Sequence, residues 1–328
     1  MIARLVHTVL LTAYSTSFLT FGFLLRNDST VFQDCSKIRY FPSNWEKFWK
    51  LRISDLQSDD AFWVAGCAEV RNNKDFIYEI ARKIDFLNDF ADDDVTVNYT
   101  ELSKFKSCGK TVYIEPLVSF LRDPSFLCIN NNSAQSKTWL LLQPPPYQSV
   151  QGSVFFFDVG ASLYDAGAGG ASQQWFVEKY RLHGLEIDHI LAWEAQFYSP
   201  EDIFARAPGD IKLKLQYFNI PASADPTSDD NPLRFIRQLC TIQDYVILKI
   251  DIDDTVTEVA LILQLLEDRM LSRLVDELYW EHHVSGSPMQ YHGWGNLSAN
   301  TGPYTNLASS YKLFSRLRHR GIRAHSWV

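Results

Sequence analysis

The chain has 328 residues, a formal net charge of −8, and 46% hydrophobic residues. This composition predicts a folded protein with a substantial core and excludes an intrinsically disordered chain. The acidic balance, together with the absence of a basic run, excludes broad nucleic-acid binding, so no nucleic-acid partner is expected.

An apolar segment near the N-terminus begins at Leu5 and ends at Leu25, between Arg4 and Arg26. It contains no Asp, Glu, Lys or Arg and is long enough to cross a bilayer as a helix. We predict that residues 1–30 form a membrane-spanning signal anchor and the start of a stem, with a cleaved signal peptide as the alternative. A slight excess of positive charge before the segment favours a cytoplasmic N-terminus and a lumenal body.

Two further features are typical of proteins of the secretory pathway. We therefore predict a location in the lumen of the ER or Golgi, or secretion if the N-terminal segment is cleaved. Sequons for N-glycosylation begin at Asn27, Asn98, Asn131 and Asn296. In an oxidising compartment, the four cysteines that precede residue 150 could form two disulfides in any of three pairings. These are Cys35, Cys67, Cys108 and Cys128, whereas Cys240 is expected to be a buried helical thiol.

Residues 31–150 are predicted to form a cap or accessory region of mixed structure. The spacing of apolar residues predicts a helix over 75–90 and a short helix over 114–121, and residues 138–142 have the composition of a strand. The proline run at 144–146 then marks a boundary before a second domain, which covers residues 151–328.

Strand and helix patterns alternate through this second domain. We therefore predict an α/β fold with a doubly wound, mostly parallel, Rossmann-like sheet, preceded by the N-terminal extension and the membrane-spanning helix. Strands are predicted over 154–157, 187–193, 213–220, 245–252, 274–280 and 322–328. Helices are predicted over 173–182, 232–239, 255–268 and 307–319, with Ser172 as the N-cap of the first and Gly321 as the C-terminal cap of the last.

A glycine-rich stretch lies between the first of these strands and the first helix. Glycines let a ligand contact backbone N–H groups, and a helix N-terminus at the carboxyl end of a strand is where open α/β sheets bind nucleotides. An ordinary strand-to-helix connection without a ligand is the alternative. The candidate binding residues in this stretch are Asp158, Gly160, Ala161, Ser162, Gly167, Gly169 and Gly170.

Polar side chains follow several other predicted strands at the point where each strand ends. They are Glu194 after the second strand, Asp251 and Asp253 after the fourth, and His282 and His283 after the fifth. The carboxyl ends of parallel strands meet at one edge of the sheet, so these side chains are expected to lie near one another. A carboxylate such as Glu194 can accept hydrogen bonds from ribose hydroxyls. Each acid could instead cap a helix or form a surface ion pair.

Three short motifs carry a resemblance to a known family: Phe157-Asp158-Val-Gly160-Ala-Ser, Ala192-Trp-Glu194 and Val246-Ile-Leu-Lys249-Ile-Asp251. In this combination the chain resembles class I S-adenosylmethionine-dependent methyltransferases, most closely the FkbM-like group. The resemblance implies that Asp158, Gly160 and Ala161 form the loop that contacts S-adenosylmethionine. It also implies that Glu194 binds the ribose and that Asp251 lies where cofactor and substrate meet.

The chain departs from the family pattern inside the loop. Ser162 stands where the family has asparagine, and Tyr164 stands where it has glycine. The glycines from Gly167 to Gly170 are therefore expected to supply backbone contacts in a longer loop. The carboxyl half also resembles membrane-anchored methyltransferase-like proteins of algae and protists, through Asp251-Ile-Asp253 and through the ending Gly321-Ile-Arg-Ala-His325-Ser-Trp-Val.

The resemblance implies an enzyme that methylates a hydroxyl of a glycan or of another acceptor in the secretory pathway. Removal of the hydroxyl proton requires a base, and His282 or His283 is the candidate, with Asp251 and Asp253 nearby. Alternatively, Asp251, Asp253 and one of the two histidines, with His282 as the first candidate, could hold a divalent metal that lowers the pKa of the acceptor. A structural role for the histidine pair also stays open.

Two other functions remain. Asp253-Asp254 also stands where the family has a Glu-Gly pair after the fourth strand. This departure and that at Tyr164 are compatible with a non-catalytic binding or scaffold protein on the same fold. The segment Gly167-Ala-Gly169-Gly-Ala-Ser172 nearly matches the glycine fingerprint of nicotinamide-dependent enzymes. However, these glycines come well after Asp158 and not directly at the strand end, which makes this the weakest of the three.

Overall fold

The computed structural model describes residues 39–51, 103–107, 110–115, 117, 137, 140–145, 149–167, 172–284 and 303–327. The predicted anchor, the predicted helix over 75–90, all four sequons and every cysteine except Cys240 lie outside these residues. Among the helices of the described part of the chain, none has both the length and the hydropathy that a bilayer span requires.

The described residues form a small antiparallel sheet and a large parallel one. The small sheet contains β1 (Arg39–Phe41), β2 (Ser103–Ser107) and β3 (Lys110–Ile114), and helix α1 (Asn44–Leu51) follows β1. The large sheet contains β4 (Val154–Val159), β5 (His189–Trp193), β6 (Leu215–Phe218), β7 (Tyr245–Ile250), β8 (Glu277–Trp280) and β9 (Arg323–Ser326).

The spatial order of the large sheet is β6-β5-β4-β7-β8-β9, and all of these neighbours pair in parallel. The chain therefore winds outward from β4 in one direction, then returns to β7 and winds outward in the other. This confirms the predicted doubly wound α/β sheet. The reversal between β4 and β7 is the topological switch point, and folds of this kind bind ligands beyond the carboxyl ends of the strands at that point.

Helices cover both faces of the large sheet. They are α2 (Ser172–Leu182), α3 (Pro200–Arg206), α4 (Gly209–Lys212), α5 (Pro232–Leu239), α6 (Thr255–Glu267), α7 (Arg269–Leu274) and α8 (Leu307–His319). On β4, Phe155 and Phe157 join a core with α5 to α8, whereas Val154 and Phe156 join a second core with α2, α3 and α4. Successive side chains of a strand point to opposite faces, so the uninterrupted apolar run of β4 serves both cores.

Two elements predicted before residue 150 do not form in the part of them that the structure describes, which is residues 114, 115, 117 and 140–142. The predicted helix over 114–121 starts at Ile114, which is the last residue of β3. The described part of the predicted strand over 138–142 forms no strand, although it is buried. Side chains bind its backbone instead, because Leu141 N donates to Glu115 Oε2 at 3.1 Å and the Leu141 carbonyl accepts from Arg323 Nη2 at 2.8 Å.

Smaller differences affect residues 151–328. Ser172 is the first residue of α2, not its N-cap. The strand predicted over 274–280 is β8, and it begins only at Glu277. Residues 269–274 instead form a short helix, which the side chain of Asp268 caps. Helix α6 forms as predicted, but Val256, which its spacing with the other apolar residues predicts to be on the buried face, is 78% exposed. The prediction of the last helix over 307–319 is confirmed, and Gly321 follows it with a φ of +96°.

A buried network of charges joins the small sheet and α1 to the last helix and strand. Arg318 Nη1 of α8 donates to Glu46 Oε1 at 3.1 Å and to the Glu115 carbonyl at 2.9 Å. Arg323 of β9 pairs with Glu277 of β8. Removing one member of such a network would leave an uncompensated charge in the interior, which is strongly destabilising.

His325 completes this network. Its Nδ1 lies 2.7 Å from Glu115 Oε1, and the ring is fully buried. Burial lowers the pKa of His325, but the neighbouring carboxylates of Glu115 and Glu277 outweigh burial and raise it above its ordinary value. A protonated His325 together with Arg318 and Arg323 then balances the network's acids, which are Glu46, Glu115 and Glu277.

Candidate functional site

The loop after β4 folds back onto the end of β5. Gly160 N and Ala161 N both donate to the Trp193 carbonyl at 2.9 Å. Gly160 has a φ of +88°, and a Cβ atom there would lie 1.6 Å from the carbonyl oxygen of Asp251. Glycine is therefore required at this position, because the ends of β4 and β7 approach each other too closely for any side chain.

Glu194 lies directly against this loop. Its Oε2 accepts a hydrogen bond from Ser162 N at 2.8 Å, and its Oε1 accepts one from Gln196 N at 2.7 Å. Tyr217 Oη donates to the Ser162 carbonyl at 2.7 Å and fixes the loop from the other side. A carboxylate has about four lone-pair sites, so each oxygen of Glu194 can still accept a further hydrogen bond. The structure thus brings Glu194 and the loop together at the carboxyl edge of the sheet.

Lys249 ties the two strands at the switch point to each other. The parallel register pairs it with Asp158, so both side chains point to the same face. Its Nζ lies 2.6 Å from the Gly160 carbonyl, 3.1 Å from Asp158 Oδ1 and 3.2 Å from Asp251 Oδ2. Lys249 had no predicted role of its own, although a single lysine inside the apolar strand Val246-Ile-Leu-Lys249-Ile is a recognisable signal.

Asp158 occupies a different position from the one that the resemblance implies. It is fully buried beneath the loop, and its ion pair is with Lys249. Burial raises the pKa of Asp158, and the charge of Lys249 only partly opposes this. Asp158 therefore supports the loop from below through Lys249 and does not line its outer surface.

Asp251 is an ionised carboxylate held by several donors. Besides Lys249, Trp327 Nε1 donates to its Oδ2 at 3.2 Å, and Glu281 makes a side-chain hydrogen bond with it. Burial alone would raise its pKa, but the charge of Lys249 and the bond from Glu281 lower it to about 2. Asp251 thus lies between the loop and the end of β8.

A cluster of three side chains, Asp253, Glu281 and His283, lies beyond the ends of β7 and β8; we call it the acid–imidazole cluster. His283 Nε2 lies 3.4 Å from Asp253 Oδ1 and 3.9 Å from Glu281 Oε2. One donor atom from each residue lies within 4.8 Å of the other two. Burial lowers the pKa of His283 even though Asp253 and Asp251 raise it, so the ring is neutral at pH 7.

His282 points away from this cluster. Its Nδ1 lies 2.9 Å from Ser310 Oγ of α8, and its ring stacks on Trp280 with the centroids 3.9 Å apart. Burial lowers the pKa of His282 to about 3. The predicted ligand set of Asp251, Asp253 and His282 is therefore not assembled, because consecutive residues at a strand end face opposite sides. In the observed cluster His283 takes the place of His282, and Glu281, which was not among the predicted site residues, takes the place of Asp251.

The remaining loop positions are resolved in part. Tyr164 is buried in the core beside α2, and its carbonyl accepts from Gln174 N at 3.0 Å. The side chain of Tyr164 therefore serves packing. Gly167 is half-buried after a short turn, and Gly169 and Gly170 lie outside the described residues.

A surface groove of about 720 Å³ lies elsewhere, along α5, α6 and α7. Its lining includes Arg237 and Asp268, which pair with each other, and none of the predicted site residues. Its buried polar residue, Asn231, caps α5 by accepting from Leu233 N and Arg234 N, so the candidate site remains at the carboxyl edge.

Comparison of the chain with models of protein families, with curated proteins and with solved structures finds no match.

Proposed function

We propose that the protein is an S-adenosylmethionine-dependent methyltransferase that binds the methyl donor at the carboxyl ends of β4 and β5. The observation that carries the proposal is the position of Glu194 against the loop of Gly160, Ala161 and Ser162, next to the topological switch point. The family resemblance of the surrounding motifs supports the choice of this donor among nucleotide-like ligands.

In this proposal the free lone pairs of Glu194 accept hydrogen bonds from the two ribose hydroxyls. The small residues of the loop allow the adenosine part to approach the backbone closely. Lys249 keeps the ends of β4 and β7 in a fixed relation, and Asp251 borders the donor on the side of the acceptor. Most of the rate enhancement then comes from positioning the two reactants.

The chemical step is an in-line displacement. The acceptor oxygen attacks the methyl carbon, the carbon–sulfur bond breaks, and the sulfonium becomes the neutral thioether of S-adenosylhomocysteine. The hydroxyl proton passes to His283 Nε2, which is neutral at pH 7 and faces Asp253. His283 is favoured over His282, because His282 contacts α8 on the other side of the strand end.

The acceptor class and the location belong to the proposal as well. We propose a hydroxyl of a glycan or of another secretory-pathway molecule, and a single-pass protein with a lumenal body anchored through residues 5–25. Glycosidase treatment of the protein expressed in eukaryotic cells tests the location. A mobility shift supports a lumenal body, and the absence of a shift contradicts it.

Calorimetric titration of the protein with S-adenosylmethionine, S-adenosylhomocysteine and NAD tests donor binding. We expect the first two to bind, and Glu194→Gln to weaken both about ten- to hundred-fold, since hydrogen bonds to a charged group contribute roughly 1.5–3 kcal/mol. Glu201→Gln, at an exposed position on α3, is the matched control and should bind like the wild type. Binding of NAD alone would favour a nicotinamide enzyme.

A non-catalytic protein on the same fold is the second candidate. The observation that favours it is that the N–H groups of Gly160, Ala161 and Ser162 already bond within the protein. If a folded wild-type protein binds none of the three titrants, this second candidate replaces the methyltransferase.

A further inference from the structure

We propose that the acid–imidazole cluster of Asp253, Glu281 and His283 is a binding site for a divalent transition-metal cation. The three residues come from the ends of two adjacent parallel strands, and they offer two carboxylate oxygens and one imidazole nitrogen to the same small volume. Glu281 was not among the ligands predicted from the sequence, so this ligand set is identified from the tertiary structure.

The distances fit a metal with three protein ligands. At metal–ligand distances of about 2.0–2.1 Å, tetrahedral ligand atoms lie about 3.3 Å apart. The separation from His283 Nε2 to Asp253 Oδ1 is 3.4 Å, and that to Glu281 Oε2 is 3.9 Å. Small side-chain rotations would close the cluster around an ion.

The cluster combines a rigid part with an accessible part. The side chain of His283 is only 1% exposed and that of Glu281 13%, so their positions are fixed by packing. The side chain of Asp253 is 64% exposed, which gives an ion a path from solvent and leaves one coordination position open.

The local charge also favours a cation. Asp158, Asp251, Asp253 and Glu281 converge on the switch point, and the ammonium of Lys249 is already engaged by Asp158, Asp251 and the Gly160 carbonyl. Glu281 also forms a hydrogen bond with Asp251. Asp251 can therefore serve as an outer partner that orients Glu281 toward a bound cation.

The donor set limits the metal. Ca²⁺ and Mg²⁺ prefer oxygen ligands alone, whereas imidazole favours Zn²⁺, Fe²⁺ and similar ions. If the proposed methyl transfer holds, an ion here would lower the pKa of the acceptor hydroxyl. His283 Nε2 would then be a ligand and not the base, and the hydroxyl proton would pass to solvent on the exposed side of Asp253. The binding site itself does not depend on the methyl-transfer proposal.

Calorimetric titration of the metal-stripped protein with ZnCl₂, MnCl₂ and MgCl₂, without any methyl donor, tests the site. We expect Zn²⁺ to bind with a stoichiometry of one and more tightly than Mg²⁺. We expect Asp253→Asn and His283→Gln each to weaken Zn²⁺ binding at least 100-fold.

Asp229→Asn is the matched control, since Asp229 is an exposed acid paired with Arg234. It should bind Zn²⁺ like the wild type. Asp253 is mostly exposed, so Asp253→Asn should fold normally, and its thermal unfolding should no longer respond to Zn²⁺. Wild-type protein that binds no Zn²⁺, or equal affinity in Asp253→Asn, would overturn the proposal. Titration of the metal-stripped protein with S-adenosylmethionine separates this result from a failure of the proposed function.

Discussion

Replacement of Lys249 by methionine should destabilise the protein strongly. Methionine retains an unbranched apolar stem but removes the ammonium that contacts Asp158, Asp251 and the Gly160 carbonyl. Lys249 is 1% exposed and Asp158 is fully buried, so water cannot replace the lost partner.

Breaking a buried ion pair by removing one partner costs about 3–5 kcal/mol, and we expect a loss of about 4 kcal/mol at pH 7.5. For a domain of this size, this corresponds to a decrease in the melting temperature of roughly 8–16 °C. Lys214→Met removes a partly exposed lysine 3.8 Å from Glu186, and its effect should stay within about 0.5 kcal/mol.

The loss should depend on pH in a defined direction. Without Lys249, the pKa of Asp158 rises further above its unfolded value, so stability falls as pH increases from that value through the folded pKa. Urea unfolding followed by tryptophan fluorescence should therefore show a larger deficit at pH 8 than at pH 5. Adding Asp158→Asn to Lys249→Met should restore part of the stability. A deficit below about 1 kcal/mol, or one that is equal at both pH values, would refute this reasoning.

Two further predictions concern single residues. Gly160→Ala should destabilise the protein by about 2–5 kcal/mol, because a Cβ atom would meet the Asp251 carbonyl at 1.6 Å and φ is +88°. Gly209→Ala, at an open helical position, should be neutral or slightly stabilising. Similar losses of stability for the two variants in chemical denaturation would contradict this prediction. The pKa of His325 is raised, so its contribution to stability is complete below about pH 6.5 and is lost as pH rises through the folded pKa. Melting curves from pH 6 to 9 should show this decline in the wild type and in His319→Gln, at an exposed position, but not in His325→Gln.

Periodicity along the chain was sufficient to predict the large sheet. A buried parallel strand needs apolar residues on both faces, and the Val154–Val159 and Tyr245–Ile250 segments meet this condition without reference to any other part of the chain. The last helix was equally predictable from its apolar spacing and from the glycine that follows it. The predicted strand over 138–142 failed, because a short apolar run does not reveal whether its backbone will bond to a strand or to side chains such as Glu115 and Arg323.

The polar residues that gather at the carboxyl edge were also predictable, because parallel strands place their ends together. The hydrogen-bond and ion-pair partners of these residues were not predictable from the sequence. Lys249 meets Gly160, 89 positions away in sequence, through the register of β4 and β7, which no local pattern encodes.

The order of apolar and polar residues along the chain is enough to predict a doubly wound α/β sheet with acids and histidines at one edge. The folded chain adds that Asp158 lies beneath the loop and that Glu194 lies against it. It also adds that His283 and Glu281 join Asp253 while His282 faces α8. This difference arises because hydrophobic periodicity depends on neighbouring residues. The partner of a buried polar group depends on strand register and on side-chain direction across distant segments.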